Sequence, residues 1–367
     1  MDLLKTIPFF YKSQDNNNNG GFPETLPFDI YFDEDLKMFR QNSTPKLINL
    51  LREVYKRGSL ADGSASSESG GVYLNGIIDY LLSHFEFKET SKILEVGFGT
   101  GILLKKLKNK GINNLYGIEP GNHHTVEGLE EVHLIRDFFP SKLLEIKFDL
   151  IFSFAILEHL EDPLNFINEQ IDQLTDNGKI IISVPNCESY LKQGDLSIFI
   201  HEHYSYFTTE SIINLISKTS LELEDISTIE GALIYTISRV KKEIDFPFEI
   251  ISNNQFTLKV ENHISRIIDL FDRYAASELA VYNPLRALNV LYITKNTNIR
   301  LVDDSLELLG KYLPSLSSKI ESFDQLIIDP PKCLLIFSRT FGEKIKLKCL
   351  AEKQLQNTQI FTLEDLE

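Results

Sequence analysis

The sequence predicts an α/β fold: a doubly wound, mostly parallel sheet followed by a second, smaller C-terminal α/β domain. Three observations predict it. Strand-length apolar runs alternate with stretches of helical period from about residue 73 onward, as in successive strand–helix–strand units. One of those runs, Ile93-Leu94-Glu95-Val96, empties into a turn with glycine at Gly97, Gly99 and Gly101. A weaker strand–helix alternation then recurs over residues 278–367.

The elements follow in order. Residues 1–72 read as irregular, with a low-complexity stretch at Asn16–Gly21. Aromatic residues such as Phe9, Phe10, Tyr11, Phe22 and Phe28 make the segment too apolar to be wholly disordered. Lys46 to Lys56 reads as a short helix. Ser59 to Gly71, rich in Ser, Gly and acids, reads as a mobile loop, either a lid or a plain linker. Ile102 to Lys110 has apolar Ile102, Leu103, Leu104 and Leu107 among lysines, an amphipathic helix that Gly111 stops. Asn114 to Glu119 and Phe148 to Phe154 are buried strands. Asp176-Asn177-Gly178 is a turn before a further apolar strand ending at Pro185. Leu221 to Ile226 and Ala232 to Ser238 form an antiparallel hairpin at the sheet edge. Asn253 to Ala280 carries a long amphipathic pattern, read as a connecting helix. Beyond it, Leu279–Tyr282, Asn298–Asp303, Cys333–Ser338 and Gln359–Thr362 are strands, with a helix over Leu285–Ile293. The turn Tyr282-Asn283-Pro284 lacks glycine, so no working nucleotide site is expected there. The expected organisation is an N-terminal segment (1–72), a first α/β domain (73–240), a connecting helix (241–277) and the C-terminal α/β domain (278–367).

The glycine turn carries the chemistry. Three glycines at alternating positions let the backbone turn tightly and approach a ligand closely. Glu119 falls 22 residues after Gly97, at the tip of the second strand, where a carboxylate can accept both hydroxyls of a ribose. The pattern is E-x-G-x-G-x-G rather than the G-x-G-x-x-G of a pyrophosphate binder. Glu95 beside the turn repels phosphate but suits an ammonium or a sulfonium. In this the chain resembles class I S-adenosylmethionine-dependent methyltransferases. Leu134-Ile135-Arg136-Asp137-Phe138, Phe148 to Phe154, Leu157-Glu158-His159-Leu160-Glu161-Asp162-Pro163 and Asp176 to Pro185 resemble that family's later motifs, in order. The resemblance implies a seven-stranded Rossmann-like methyltransferase sheet that binds S-adenosylmethionine and releases S-adenosylhomocysteine. It implies cofactor contacts from Glu95, Gly97, Phe98, Gly99, Gly101, Glu119, Pro120, Asp137, Phe138 and Phe154, with Asp137 meeting the adenine amine and Phe138 covering the ring.

A titratable, aromatic stretch, His201-Glu202-His203-Tyr204-Ser205-Tyr206-Phe207-Thr208, follows the fifth strand, at the edge where open α/β sheets bind ligands. It resembles the E-H-x-x-x-F-S/T segment of nucleotide-sugar C-methyltransferases. Leu301-Val302-Asp303-Asp304 through Gly310-Lys311-Tyr312-Leu313-Pro314 resembles that family's C-terminal block. The resemblance implies that His203 removes a proton beside the carbonyl of a keto sugar, that Glu202 orients it, and that His159 binds the developing enolate or a hydroxyl. Four departures stand against it. There is no cysteine before Cys187 to build the family's zinc module. The tyrosine expected two residues before Glu202 is Ile200. The hairpin is Glu230-Gly231-Ala232-Leu233-Ile234-Tyr235, and Tyr282-Asn283-Pro284 also departs from the family pattern. O- or N-methylation of another metabolite or glycan, and a non-catalytic cofactor-binding subunit, remain open alternatives. His201 and His203 alternate, but no carboxylate–histidine set at ligand spacing accompanies them, so no metal is expected.

Bulk properties set limits. A formal net charge of −16 argues against a nucleic-acid partner and for a small-molecule acceptor. Cys187, Cys333 and Cys349 have no paired spacing, which disfavours disulfides and zinc. No apolar run approaches the length of a membrane span, and no signal-peptide pattern opens the chain, so a cytoplasmic protein without membrane contact is expected. The oligomeric state is not legible.

Overall fold

The computed structural model describes residues 4–16, 18–57, 68–121, 125–240 and 253–366. Its largest sheet has seven strands: β1 (Ile93–Val96), β2 (Leu115–Ile118), β3 (His133–Ile135), β4 (Phe148–Phe154), β5 (Leu174–Pro185), β6 (Glu222–Ile229) and β7 (Ala232–Ser238). They lie in the order β6-β7-β5-β4-β1-β2-β3. The pairs β4–β5, β4–β1, β1–β2 and β2–β3 are parallel, whereas β5–β7 and β7–β6 are antiparallel. The expected doubly wound sheet with an antiparallel edge hairpin is therefore present. Side chains alternate across it: Leu94, Val96 and Ile151 enter one core, Ile93, Leu150 and Phe152 the other. Both faces are covered, which is why the parallel strands read as continuous apolar runs. The strand order reverses between β1 and β4, and that reversal opens a crevice at their C-terminal ends.

Two expectations need revision. The turn at Asp176–Gly178 is inside β5, because the pairing steps from Phe148↔Leu174 to Leu150↔Lys179 and the intervening residues bulge out of register. Gly178 suits the bulge, since a Cβ there would lie 2.9 Å from Leu174 and from the Phe148 carbonyl oxygen. Residues 59–67 of the expected loop lie outside the described residues. Glu68 to Gly71 instead open helix α2 (Glu68–His84), which also carries Tyr73. Helix α1 (Pro45–Lys56) matches its expectation: Pro45 starts it and the Thr44 hydroxyl accepts the Leu47 N–H.

The chain divides into two compact units. One comprises residues 31–186 and 202–250 and contains the seven-stranded sheet. It also holds a three-stranded sheet in the order Ser205–Tyr206, Met38–Gln41, Ile30–Asp33.

The other comprises residues 1–30, 187–201 and 251–367. Its core is a five-stranded parallel sheet with Leu279–Tyr282 at the centre, flanked by Arg300–Val302 and Cys333–Ile336. The helix Asn253–Phe271 belongs to this unit. It ends before the expected Ala280, followed by a tight turn in which the Glu278 carboxylate accepts the Ala275 N–H. Asn283 has φ +62, so it supplies the left-handed turn residue where glycine was missed. The units thus cut across the four segments read from the sequence. Residues 187–201 are held in this unit by specific bonds, the Asn289 amide donating to the Leu196 and Phe199 carbonyls and Arg339 pairing with buried Asp195 at 2.8 Å, and residues 1–30 by the Glu24 carboxylate, which accepts the Ser315 N–H at 2.6 Å.

Candidate functional site

The glycine turn joins β1 to helix α3 (Ile102–Asn109). Gly97, Gly99 and Gly101 have φ of +79, +51 and +83, all left-handed. Space is also limiting: a Cβ on Gly97 would lie 2.4 Å from the Ile156 Cδ1, and one on Gly101 2.5 Å from the Leu129 Cδ1. Glu119, just past β2, accepts the N–H of Gly99 at 3.2 Å and of Gly121 at 2.6 Å, tying the second strand's tip to the turn. Its oxygens retain lone pairs for hydroxyl donors.

Glu95 is 6 % exposed, and its Oε2 has no hydrogen-bond partner. Burial, with a smaller contribution from the charge of Glu119, pushes its carboxyl up to about 8. A buried acceptor without a donor is costly, and an incoming ammonium would satisfy it. This orphaned oxygen, beside a turn with no room for Cβ atoms, fits the amino-acid end of S-adenosylmethionine.

The remaining expected contacts differ among themselves. Asp137 stands just beyond β3 and accepts the Ser141 hydroxyl and the Phe138 N–H; those two bonds hold its carboxyl below the usual range. Phe138 is 72 % exposed, open for stacking, and Pro120 is exposed. Phe154 is half-buried and stacked on Phe152. The Phe98 ring is buried in the core, with the Arg136 guanidinium over its face, so it presents no ring to a ligand.

On the other side of the crevice, Leu157–His159 form a single 3-10 turn just after β4. The turn abuts the glycine loop through Ile156, the side chain under Gly97. His159 Nδ1 lies 3.0 Å from the Glu202 carbonyl oxygen and 3.2 Å from the Tyr55 hydroxyl of α1. A carbonyl only accepts, so Nδ1 carries the proton and Nε2 the lone pair. Burial pulls His159 down to about 4, against the opposing effect of the Glu202 carbonyl, and keeps the ring neutral.

The His203 ring meets His159 edge-on, with centroids 4.8 Å apart. Its loop is clamped by the backbone: the Tyr204 N–H donates to the Glu158 carbonyl at 2.7 Å, the Gln41 N–H to the Tyr204 carbonyl at 2.9 Å, and the Gln41 side-chain amide to the His203 carbonyl at 3.2 Å. Burial lifts the Glu202 carboxyl to about 7. The bond observed from Glu202 to a histidine is thus made by its main chain, to His159.

Glu158 is 1 % exposed, its Oε2 has no partner, and burial pushes its carboxyl up to about 8. One ligand-type atom from each of Glu158, His159 and His203 lies within 4.8 Å of the others. The His201/His203 alternation makes no such group. His201 belongs to the other unit, where its ring packs 5.4 Å from Phe9 and from Phe28.

Sequence reasoning brings His159, Glu202 and His203 to this edge but misses Tyr55, Gln41 and the isolation of the Glu158 carboxyl. Tyr55 and Gln41 come from a segment with no chemical motif. The LEH motif drew attention to its histidine, although its glutamate is the more deeply buried partner.

Residues 73–226 match a family model described as a methyltransferase domain. A tRNA U34 carboxymethyltransferase of Psychromonas ingrahamii is 25% identical over 158 residues, 40% of this chain and 45% of the relative. A ubiquinone biosynthesis O-methyltransferase of Rickettsia bellii is 21% identical over 186 residues, 46% of this chain and 76% of the relative. Thus the chain spans less than half the length of the tRNA-modifying relative. Among solved structures, an S-adenosylmethionine-dependent methyltransferase from Clostridium acetobutylicum aligns with 52% of this chain and 98% of its own, at 13% identity and a TM-score of 0.38. The matched stretch, residues 73–226, is thus similar to a methyltransferase domain.

Proposed function

We propose that this domain methylates a small-molecule acceptor, and that the acceptor is a nucleotide-linked keto sugar methylated at carbon. The observation that carries the reading is placement: His159, Glu202 and His203 gather after β4, against the turn that fits the cofactor, with Ile156 joining the two sides.

Bound S-adenosylmethionine supplies an electrophilic methyl group to a nucleophile aligned with its sulfur–carbon bond. The chain must hold the acceptor and remove one proton. His203 acts as the base, being half-buried and held from behind by the Gln41 amide on its own carbonyl. The acceptor's carbonyl-adjacent C–H gives up its proton to His203, and the resulting enolate carbon takes the methyl group. His159, neutral and protonated at Nδ1, offers Nε2 to accept a hydroxyl hydrogen of the acceptor, so it positions rather than stabilises an oxyanion.

The net charge of −16 supports a small acceptor over a polynucleotide. O-methylation is the second reading. The same His159 Nε2 can take a hydroxyl proton directly, although its depressed basicity makes it a weak base.

The test is a substitution with two readouts. His203→Ala should lower turnover at least 100-fold while calorimetry shows cofactor affinity within about threefold of the unchanged protein. Wild-type protein should also exchange deuterium beside the carbonyl of a keto sugar without cofactor. Turnover without exchange would assign methylation to oxygen or nitrogen, and unchanged turnover in His203→Ala would remove His203 from the mechanism.

A further inference from the structure

We infer that Glu158, His159 and His203 form a binding site for one first-row divalent cation. Two imidazoles and a carboxylate are the donor set that such ions take, and three protein ligands leave positions open for oxygens of an acceptor. The three ligand atoms already lie within 4.8 Å of one another. His159 Nε2 and Glu158 Oε1 are 3.9 Å apart, so side-chain rotation of about an ångström brings the set to metal–ligand distances of about 2.0–2.2 Å.

Two independent features point to a ligand. Glu158 is 1 % exposed, its Oε2 is buried and lacks any hydrogen-bond partner, and its other oxygen, Oε1, is the one 3.9 Å from His159 Nε2. The outer bond of His159 is the other: Nδ1 donates to the Glu202 carbonyl, which fixes the ring and turns the Nε2 lone pair toward Glu158. A backbone carbonyl behind one nitrogen of a histidine is the usual support for a metal on its other nitrogen.

The open positions suit a bidentate oxygen ligand, such as an α-hydroxy ketone. A cation on His203 occupies the lone pair that proton removal needs. It would also occupy the His159 Nε2 lone pair, so a bound cation and the roles proposed above for His159 and His203 exclude one another, and the inference does not rest on that reading.

The test uses chelator-treated full-length protein and Co²⁺ alone, with cofactor and acceptor absent. Calorimetry should show one equivalent bound, with visible absorption bands of a nitrogen–oxygen site. Glu158→Gln and His203→Asn, each checked for a native thermal transition, should each weaken binding at least tenfold. His133→Ala, an exposed histidine on β3, should leave binding unchanged. Absence of one-to-one binding in the wild type would overturn the inference. So would binding that survives both substitutions, which remove separate ligands so that one misfolded variant does not decide the outcome.

Discussion

Glu95 faces the cofactor turn with one oxygen unsatisfied, and its raised pKa carries a sign that can be measured. The cofactor's ammonium needs the ionised form, which is scarce at pH 6 and half-populated near pH 8. Cofactor affinity should therefore rise by up to about tenfold per unit of pH gained below 8, with proton release on binding. Calorimetry in buffers of different ionisation enthalpy would read this directly. Glu95→Gln should weaken binding about 10- to 100-fold and flatten the profile, because a charge-assisted hydrogen bond becomes a neutral one. Glu95, Gly97, Gly99, Gly101 and Glu119 were legible because a short stretch of chain sets their geometry. Tyr55 was not, since it reaches His159 across 104 residues of sequence. Phe98 sits inside the motif yet turns its ring into the core, where the motif gives no guide to side-chain direction.

At the scale of elements, the strand Met38–Gln41 bears on the site without holding any chemistry. It pairs antiparallel with Ser205–Tyr206, fixing the loop that presents His203, and Gln41 adds two hydrogen bonds to that loop. Gln41→Ala should cost about 1 kcal/mol of stability and lower turnover several-fold, with cofactor affinity unchanged. Denaturant titration and steady-state kinetics would separate the two effects. Gly194 gives a second element-level expectation. Its φ is +71, and a Cβ there would lie 2.3 Å from the backbone of Lys259 and Val260. No side-chain rotation relieves a backbone clash, so Gly194→Ala should destabilise its unit by about 2 kcal/mol or more, seen as a lowered melting transition. The long strands and amphipathic helices were legible from periodicity. The bulge in β5 and the early start of α2 were not, because pairing to β4 overrides the turn chemistry of Asp176–Gly178 and the small residues of Glu68–Gly71 carry no apolar period to mark a helix start.

At the scale of the molecule, the buried carboxyls set a pH dependence of folding. Glu95 and Glu158 both sit near 8 in the folded chain, above their usual 4.5. Carboxyls raised in this way favour the folded state at low pH, and their contribution is lost as pH climbs through about 8. The cofactor-free protein should therefore melt at a lower temperature at pH 8.5 than at pH 5.5. The loss from Glu95 is on the order of a few kcal/mol, and Glu95→Gln should reduce the slope. Arg339→Ala should cost about 3–5 kcal/mol, because it leaves the fully buried Asp195 without its ion-pair partner.

The route of the chain between its two units has a practical consequence. The path passes from one to the other at 30/31, 186/187, 201/202 and 250/251. The residues expected to handle the acceptor are therefore not a transplantable cassette. A fragment cut at residue 240 would keep Ile7, Phe9 and Phe28 while discarding the sheet of the unit to which they belong. It should aggregate, and size-exclusion chromatography would show it. Grafting an acceptor preference from a relative would need its junctions at those four crossings, and swapping the 202–208 loop alone would leave its Met38–Gln41 support mismatched.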